Sequence, residues 1–355
     1  MALLRITADA AIERLASFDA VIDARSESEY AEDHLPGAQN WPSLNDAERA
    51  DIGTTYKQVS AFEARKRGAV LVARNIARHV ERHVVNPPPG LPREWSPLVY
   101  CWRGGQRSGS LATVLDAIGF RTHVLDGGYR EFRRAVLREL EVQPGRLDFR
   151  VLCGRTGSGK SRLLGALAEA GEQVLDLEAL ASHRGSVLGP LPGQPQPSQK
   201  GFETALWTAM RAFDPARPVW AESESRTIGR LRVPEALLIR LRASPCVAME
   251  MPLPARVQLL LQDYSHFVLD TESFCERLAA LRELRGGETV ARWQAMARAG
   301  RHAEVVEDLL LQHYDPIYLR SMSRNYAGFD QAEGLHLADG SGASLAQAAL
   351  GLSTG

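Results

Sequence analysis

Along the chain, short apolar runs alternate with stretches whose apolar residues recur at helical spacing, the pattern of strands alternating with helices around a parallel sheet. In the first part, Val21-Ile22-Asp23, Leu98-Val99-Tyr100 and His123-Val124-Leu125 read as strands, and the Pro36-Gly37 turn leads into another. Helices are expected over 61–64, 70–83, 111–118 and 132–140, with Gly119 stopping the third. Asn86-Pro87-Pro88-Pro89-Gly90 breaks the chain, and Gln143-Pro144-Gly145 marks a boundary, so residues 1–142 and 146–355 are read as two domains. In the second, 149–153, 173–178, 219–225 and 245–251 read as strands, the last being the last clear strand of its sheet. A helix is expected through Trp207 and Met210. A helical stretch then runs from Arg256 to about His313, broken at Gly286-Gly287 and Gly300 and capped by Tyr314-Asp315-Pro316-Ile317-Tyr318. The stripe Leu259, Leu260, Phe267, Leu278, Leu281 and Leu284 is read as core, and the small polar tail from Ser341, with a weak helix signal, as a mobile end. The fold class is α/β, two parallel-sheet domains with a helical C-terminal extension.

At 355 residues the chain is long enough for two cores, and 45% hydrophobic with 24% charged residues is ordinary for a globular protein. The net charge of −1 does not by itself call for a nucleic-acid partner. Its distribution does more: residues 121–162 carry ten Lys or Arg against five acids, and 226–242 five Arg against one Glu. Either run is able to meet a polyanion or simply form a solvated face. Four cysteines, Cys101, Cys153, Cys246 and Cys275, lie too far apart to suggest a zinc site or a disulfide framework. No apolar run reaches the ~20 residues that span a bilayer. A reducing cytoplasm, with no membrane partner, is the expected setting.

Candidate chemistry starts at Cys101-Trp102-Arg103-Gly104-Gly105-Gln106-Arg107-Ser108, a loop joining a strand to a helix. A thiol there lies near the unpaired amides of a helix N-terminus, and Arg103 and Arg107 add positive charge, so the nucleophilic thiolate is favoured. Cys101 could instead be a small buried hydrophobe. Core packing, however, gives no reason for two glycines and two arginines within six residues.

Around this loop the motifs Asp23-Ala24-Arg25-Ser26, Glu29-Tyr30, His34-Leu35-Pro36-Gly37-Ala38-Gln39-Asn40 and Asp126-Gly127-Gly128-Tyr129 resemble the rhodanese signature over roughly residues 1–140. The resemblance implies that the Asp-x-Arg strand end and the Pro-Gly turn support the loop without doing chemistry. Five residues separate Cys101 from Arg107, where common rhodanese loops have four. The wider spacing also resembles phosphatases and arsenate reductases of the same fold, so the loop alone leaves sulfur transfer and phosphate chemistry both open.

The second domain carries Gly154-Arg155-Thr156-Gly157-Ser158-Gly159-Lys160-Ser161, the G-x-x-x-x-G-K-S pattern of a phosphate loop, between a strand and a helix with Leu163, Leu164 and Leu167 on one face. Its glycines let amides wrap a phosphate, Lys160 reaches the terminal phosphates, and Ser161 is the hydroxyl placed for Mg²⁺. Glu222 and Glu224 occupy a strand end where an acid holds Mg²⁺ directly or through water, although strand-end solvation accounts for them equally simply. Asp176, His183 and Arg184 are further candidates for substrate or Mg²⁺. Cys153 is read as packing.

The pairing of these two domains, together with Leu175-Asp176-Leu177-Glu178, His183-Arg184-Gly185-Ser186 and Glu222-Ser223-Glu224-Ser225-Arg226-Thr227-Ile228-Gly229, resembles the tRNA 2-selenouridine synthase family from Val21 to about Tyr318. That resemblance implies a cytoplasmic enzyme acting on tRNA with wobble 2-thiouridine. It implies selenophosphate and geranyl diphosphate as co-substrates, a partner enzyme that makes selenophosphate, and Cys101 as the essential thiol. In the family, geranyl transfer to sulfur makes an S-geranyl intermediate that selenium displaces. Whether Cys101 holds selenium as a perselenide or helps expel the geranyl thiol stays open. Residues 130–138 and 226–242 are the candidates for tRNA backbone contact. The rival readings are a rhodanese sulfurtransferase fused to an ATP-dependent small-molecule kinase, a phosphatase, and a nucleotide-gated binding module.

Overall fold

The computed structural model describes residues 3–86, 90–185, 189 and 193–353. Ser186 and the prolines at 87–89 lie outside the described residues. The chain forms two compact units, one of residues 1–139 with 198–208, the other of 140–197 with 209–355.

The first unit is built on five strands: β1 (Leu4–Ile6), β2 (Ala20–Asp23), β3 (Ala38–Asn40), β4 (Pro97–Tyr100) and β5 (His123–Leu125). They lie in the order β1-β5-β4-β2-β3, every pair parallel. β4 is central and buried along its whole length, so the residue that follows it, Cys101, emerges at the C-terminal edge where parallel sheets place their sites. The expected helices at 61–64 and 70–83 are one continuous helix, Ala61–Val80, extended by a wider turn over Glu81–Val85. Gly68 does not interrupt it, because a single interior glycine costs only about 1 kcal/mol.

Residues 198–208 follow the phosphate loop in sequence yet pack into the first unit. Thr204 Oγ1 donates to Asp33 (3.0 Å), Trp207 Nε1 donates to Glu139 (2.7 Å), Lys200 pairs with Glu32 (2.8 Å), and Arg133 pairs with Glu203.

The second unit adds β6 (Phe149–Gly154), β7 (Gln173–Leu175), β8 (Val219–Glu222), a two-strand hairpin of β9 (Thr227–Ile228) and β10 (Leu231–Arg232), β11 (Cys246–Glu250) and β12 (Glu333–His336). Its main sheet runs β12-β11-β6-β8-β7, all parallel, with β6 in the middle. Thus β11 is not the last strand: β12 extends the edge, and with one half-buried residue among four it has no apolar run to announce it. The tail is likewise ordered. Gly342–Ser353 is a helix whose Leu345 and Ala349 enter the core with Leu163, Leu164 and Leu167.

Residues 314–318 do not cap the helical stretch. Pro316 sits in the first turn of a further helix, Asp315–Asn325, where a missing N–H costs nothing. Of the apolar stripe, Leu259, Leu278 and Leu281 are buried, whereas Leu284 is 65% exposed. Among the described residues no helix is long and apolar enough to cross a membrane.

Candidate active site

In the first unit the loop between β4 and the helix Gln106–Ile118 is held from below by the turn after β5. The Tyr129 amide donates to the Cys101 carbonyl (2.8 Å), and the Arg130 amide to that of Trp102 (3.2 Å). This close approach demands glycine. Gly128 has φ +62°, and a Cβ on it would stand 2.1 Å from the Cys101 carbonyl oxygen and 2.5 Å from the Gly104 nitrogen. Gly104, with φ +64°, abuts the Leu125 carbonyl in the same way.

Behind the turn lies a buried network. Arg25, 1% exposed, grips Asp23 (Nη2–Oδ2 2.6 Å), donates to the Asp33 carbonyl (2.6 Å), and stacks on the Tyr129 ring at 4.0 Å. Tyr129 in turn donates its hydroxyl to Asp33 (2.7 Å). Breaking such a buried pair by removing one partner costs about 3–5 kcal/mol. The Asp-x-Arg strand end therefore supports the loop at one remove, through Tyr129.

Cys101 itself is 3% exposed, and its sulfur accepts a hydrogen bond from Ser108 Oγ (3.1 Å). Of the two arginines, Arg103 is exposed, whereas Arg107 turns to Glu29 (2.7 Å). Burial opposes ionisation of Glu29, but the Arg107 hydrogen bond and charge outweigh it and bring the carboxyl below its ordinary value. The positive charge of Arg107 is thus shared with a carboxylate, which the loop's sequence did not reveal. Trp102 is half-buried, stacked on Tyr129 with ring centres 5.4 Å apart, and Lys200 Nζ lies 5.9 Å from its ring. Gly105 caps the helix, and Gln106 opens it.

We expect Gly128→Ala to lose stability by more than the about 1–2 kcal/mol of left-handed backbone alone, because the added Cβ also displaces the cysteine loop. Thermal unfolding together with the rate of Cys101 alkylation checks this, and an unchanged alkylation rate would contradict it.

In the second unit the phosphate loop connects β6 to the helix Lys160–Glu169, at the C-terminal edge of the central strand. Gly157 and Gly159 take φ +77° and +84°, and a Cβ on Gly154 would meet the Ser158 hydroxyl at 2.4 Å. That hydroxyl is buried without a hydrogen-bond partner among the described residues, which suits a loop shaped for an anion. Lys160 Nζ rests on the Gly154 carbonyl (2.7 Å). Two residues that no motif announces brace the loop from outside. Arg256, 2% exposed, donates to the Thr156 carbonyl (2.7 Å) and pairs with Asp315 (2.6 Å). Arg155 lies 3.8 Å from the same Asp315.

Beside Lys160 the ends of β7 and β8 bring carboxylates together. Ser161 Oγ donates to Glu178 (3.0 Å) and lies 3.4 Å from Glu222, and oxygens of Glu178, Glu222 and Glu224 lie within 4.8 Å of one another. Asp176 instead caps the helix Leu177–Leu180 by accepting from the Ala179 amide. Of the cluster, Glu178 was the member not anticipated as a ligand, because it follows β7 inside a short helical turn. His183 is buried, its Nδ1 accepting from the Gly185 amide (3.0 Å), and a Cβ on Gly185 would meet Glu178 at 2.6 Å and Glu224 at 3.0 Å. Arg184 reaches the Asp263 carbonyl (2.6 Å) and stacks on Tyr264.

Burial raises all four acids above their ordinary values. For Glu222 the neighbouring carboxylates add to it, and Glu224 is pushed up to about 8 by burial and then Glu178. Hard oxygen donors gathered within 4.8 Å of one another beside the Ser161 hydroxyl fit Mg²⁺, which Glu178, Glu222, Glu224 and Ser161 would hold. In the unfolded chain Glu224 ionises near 4.5, while in the folded chain it keeps its proton to about 8. Metal-free protein should therefore lose stability as pH rises across that window. Mg²⁺ should raise the melting temperature more at about pH 8 than at about pH 5, where protons compete with it. A larger Mg²⁺ effect at the lower pH would contradict this.

The arginines expected to contact tRNA are largely engaged within the protein. Arg134 pairs with Glu131, Arg138 with Asp9, Arg226 with Glu235 and Arg240 with Asp148.

Comparison with known proteins finds two matched regions. Residues 7–135 match the rhodanese-like domain, and residues 147–285 match the tRNA 2-selenouridine synthase AAA domain. Relatives called tRNA 2-selenouridine synthase include those of Marinobacter nauticus (33% identical, covering 84% of this chain and 87% of the relative) and Alcanivorax borkumensis (32%, covering 86% and 90%). That of Bdellovibrio bacteriovorus is 32% identical, covering 86% and 89%. With both domains matched and similarity running through most of its length, the chain belongs to the tRNA 2-selenouridine synthase family.

Proposed function

We propose that this protein converts wobble 2-thiouridine of tRNA to 2-selenouridine in the cytoplasm. It takes selenium from selenophosphate, supplied by a partner enzyme, and passes through an S-geranyl intermediate made from geranyl diphosphate. The observation that carries the reading is the presence on one chain of a buried thiol in a rhodanese-type loop and a phosphate loop with a carboxylate cluster beside its lysine.

The thiocarbonyl sulfur of 2-thiouridine is a soft nucleophile. It attacks the allylic carbon of geranyl diphosphate, an S–C bond forms, the C–O bond breaks, and pyrophosphate departs. Departure requires donors at the developing charge. The amides of residues 154–161 bind the diphosphate, and Lys160, leaving the Gly154 carbonyl, follows the charge on the leaving group. Mg²⁺, when held by Glu178, Glu222, Glu224 and Ser161, adds further neutralisation there. Alkylated sulfur is a better leaving group than a thiocarbonyl: selenium of selenophosphate attacks C2, the C–S bond breaks and geranyl thiol departs with a proton, and water then cleaves the Se–P bond to release phosphate. Cys101 serves that step, and its loop amides and Arg103 meet the selenophosphate anion.

The wobble base lies in a single-stranded loop and can be turned out and stacked. Trp102, exposed in part beside Cys101, is the ring available for that. Nucleoside mass spectrometry on tRNA from a deletion strain carrying wild-type or variant protein tests the reading. Consumption of ATP without tRNA, with unchanged nucleosides, would favour the kinase alternative instead.

A further inference from the structure

The helices that follow the phosphate loop surround a partly open apolar cavity. Leu260 and Leu261 of the helix Leu253–Asp263, Phe274, Val306 and Leu310 line it, and Thr156 of the phosphate loop forms part of its wall. Two contacts fix that junction. Arg256 holds the Thr156 carbonyl, and the position a Cβ would take on Gly157 is 2.9 Å from the Leu260 side chain. The phosphate loop and the cavity therefore share a boundary within one unit.

A nucleotide would be a poor occupant. Its base and ribose carry several donors and acceptors, and although Tyr264, His302 and Tyr314 also line the cavity, the surface presented is almost wholly apolar, so most of those groups would be left unpaired at a cost of about 1–3 kcal/mol each. An apolar chain attached to a diphosphate suits both halves of the junction. The cavity is about 40 Å³, comparable to roughly three water molecules on the same measure. Its inner part takes the end of a short branched chain, and the rest of a longer one would have to lie towards its open side.

We propose that this cavity receives the apolar tail of the diphosphate ester whose head lies on the phosphate loop, and that its depth sets the length of prenyl chain accepted. The inference deepens the geranyl-transfer reading above and rests on it for the identity of the head group.

The test compares binding with transfer on the full-length protein with Mg²⁺. Calorimetry gives the Kd of inorganic pyrophosphate and of dimethylallyl, geranyl and farnesyl diphosphates. Nucleoside mass spectrometry follows transfer from each ester to thiolated tRNA. Wild type should bind geranyl diphosphate at least about tenfold tighter than pyrophosphate, as expected for burying several methylenes. Leu261→Trp, which fills the cavity, should erase that preference and leave the pyrophosphate Kd within about twofold. Val306→Ala, which deepens it, should improve farnesyl diphosphate relative to geranyl and keeps the test decisive should the tryptophan variant fail to fold. Geranyl transfer with unaltered chain-length preference in both variants overturns the cavity assignment while the transfer reading stands. Tail-dependent binding that both variants shift, without transfer by any ester, supports the cavity and overturns the transfer reading.

Discussion

Replacing Lys160 by alanine is expected to abolish geranylation, with a loss of about 100- to 1000-fold in the rate of alkylation, the usual effect of removing one preorganised donor from a developing anion. The lysine's hydrogen bond goes to the Gly154 carbonyl, and its ammonium lies 5.7 Å from the Tyr318 ring. Neither contact holds the fold, since the loop is braced separately by Arg256 and by its glycines. The variant should therefore melt close to wild type while 2-thiouridine persists unmodified. Substantial geranylated tRNA made by Lys160→Ala would show that the phosphate loop does not serve the leaving group.

Cys101→Ser should separate the two steps. Because the cysteine lies in the first unit and the phosphate loop in the second, the variant should still alkylate sulfur but fail to install selenium, so geranylated tRNA accumulates and 2-selenouridine falls below detection. A hydroxyl at this position retains the size of the thiol and the neighbourhood of Ser108, so the loop itself should persist. What is lost is the soft, ionisable sulfur that chalcogen transfer needs. Normal 2-selenouridine in cells carrying only this variant would remove Cys101 from the chemistry.

What rests on local rules was legible in the sequence. A strand, a glycine-rich turn and an amphipathic helix form a recognisable unit at both Cys101 and Lys160, because each is specified by adjacent residues. The parts that were hidden depend on long-range partners. Arg107 looks free to assist the thiol until Glu29, far away in sequence, is found 2.7 Å from it. Glu178 completes the carboxylate cluster only because β7 and β8 are neighbours in the sheet. Arg256 and Asp315 form a buried pair that braces the phosphate loop, yet each alone looks like an ordinary charged helix residue.

The edge strand β12 and the last helix escaped for a different reason. One face of each packs on elements already complete, so a mostly exposed strand and a small-residue helix carry too little apolar periodicity to stand out. The helix over residues 199–211 was legible as a helix, but its packing into the first unit turns on Thr204 meeting Asp33 and Trp207 meeting Glu139.

The central claim, that this chain makes 2-selenouridine from 2-thiouridine, is tested most directly by mass spectrometry of wobble nucleosides from cells with and without the protein. Deletion should eliminate 2-selenouridine and leave 2-thiouridine in its place, and the wild-type chain should reverse both changes. Unchanged 2-selenouridine in the deletion strain would contradict it.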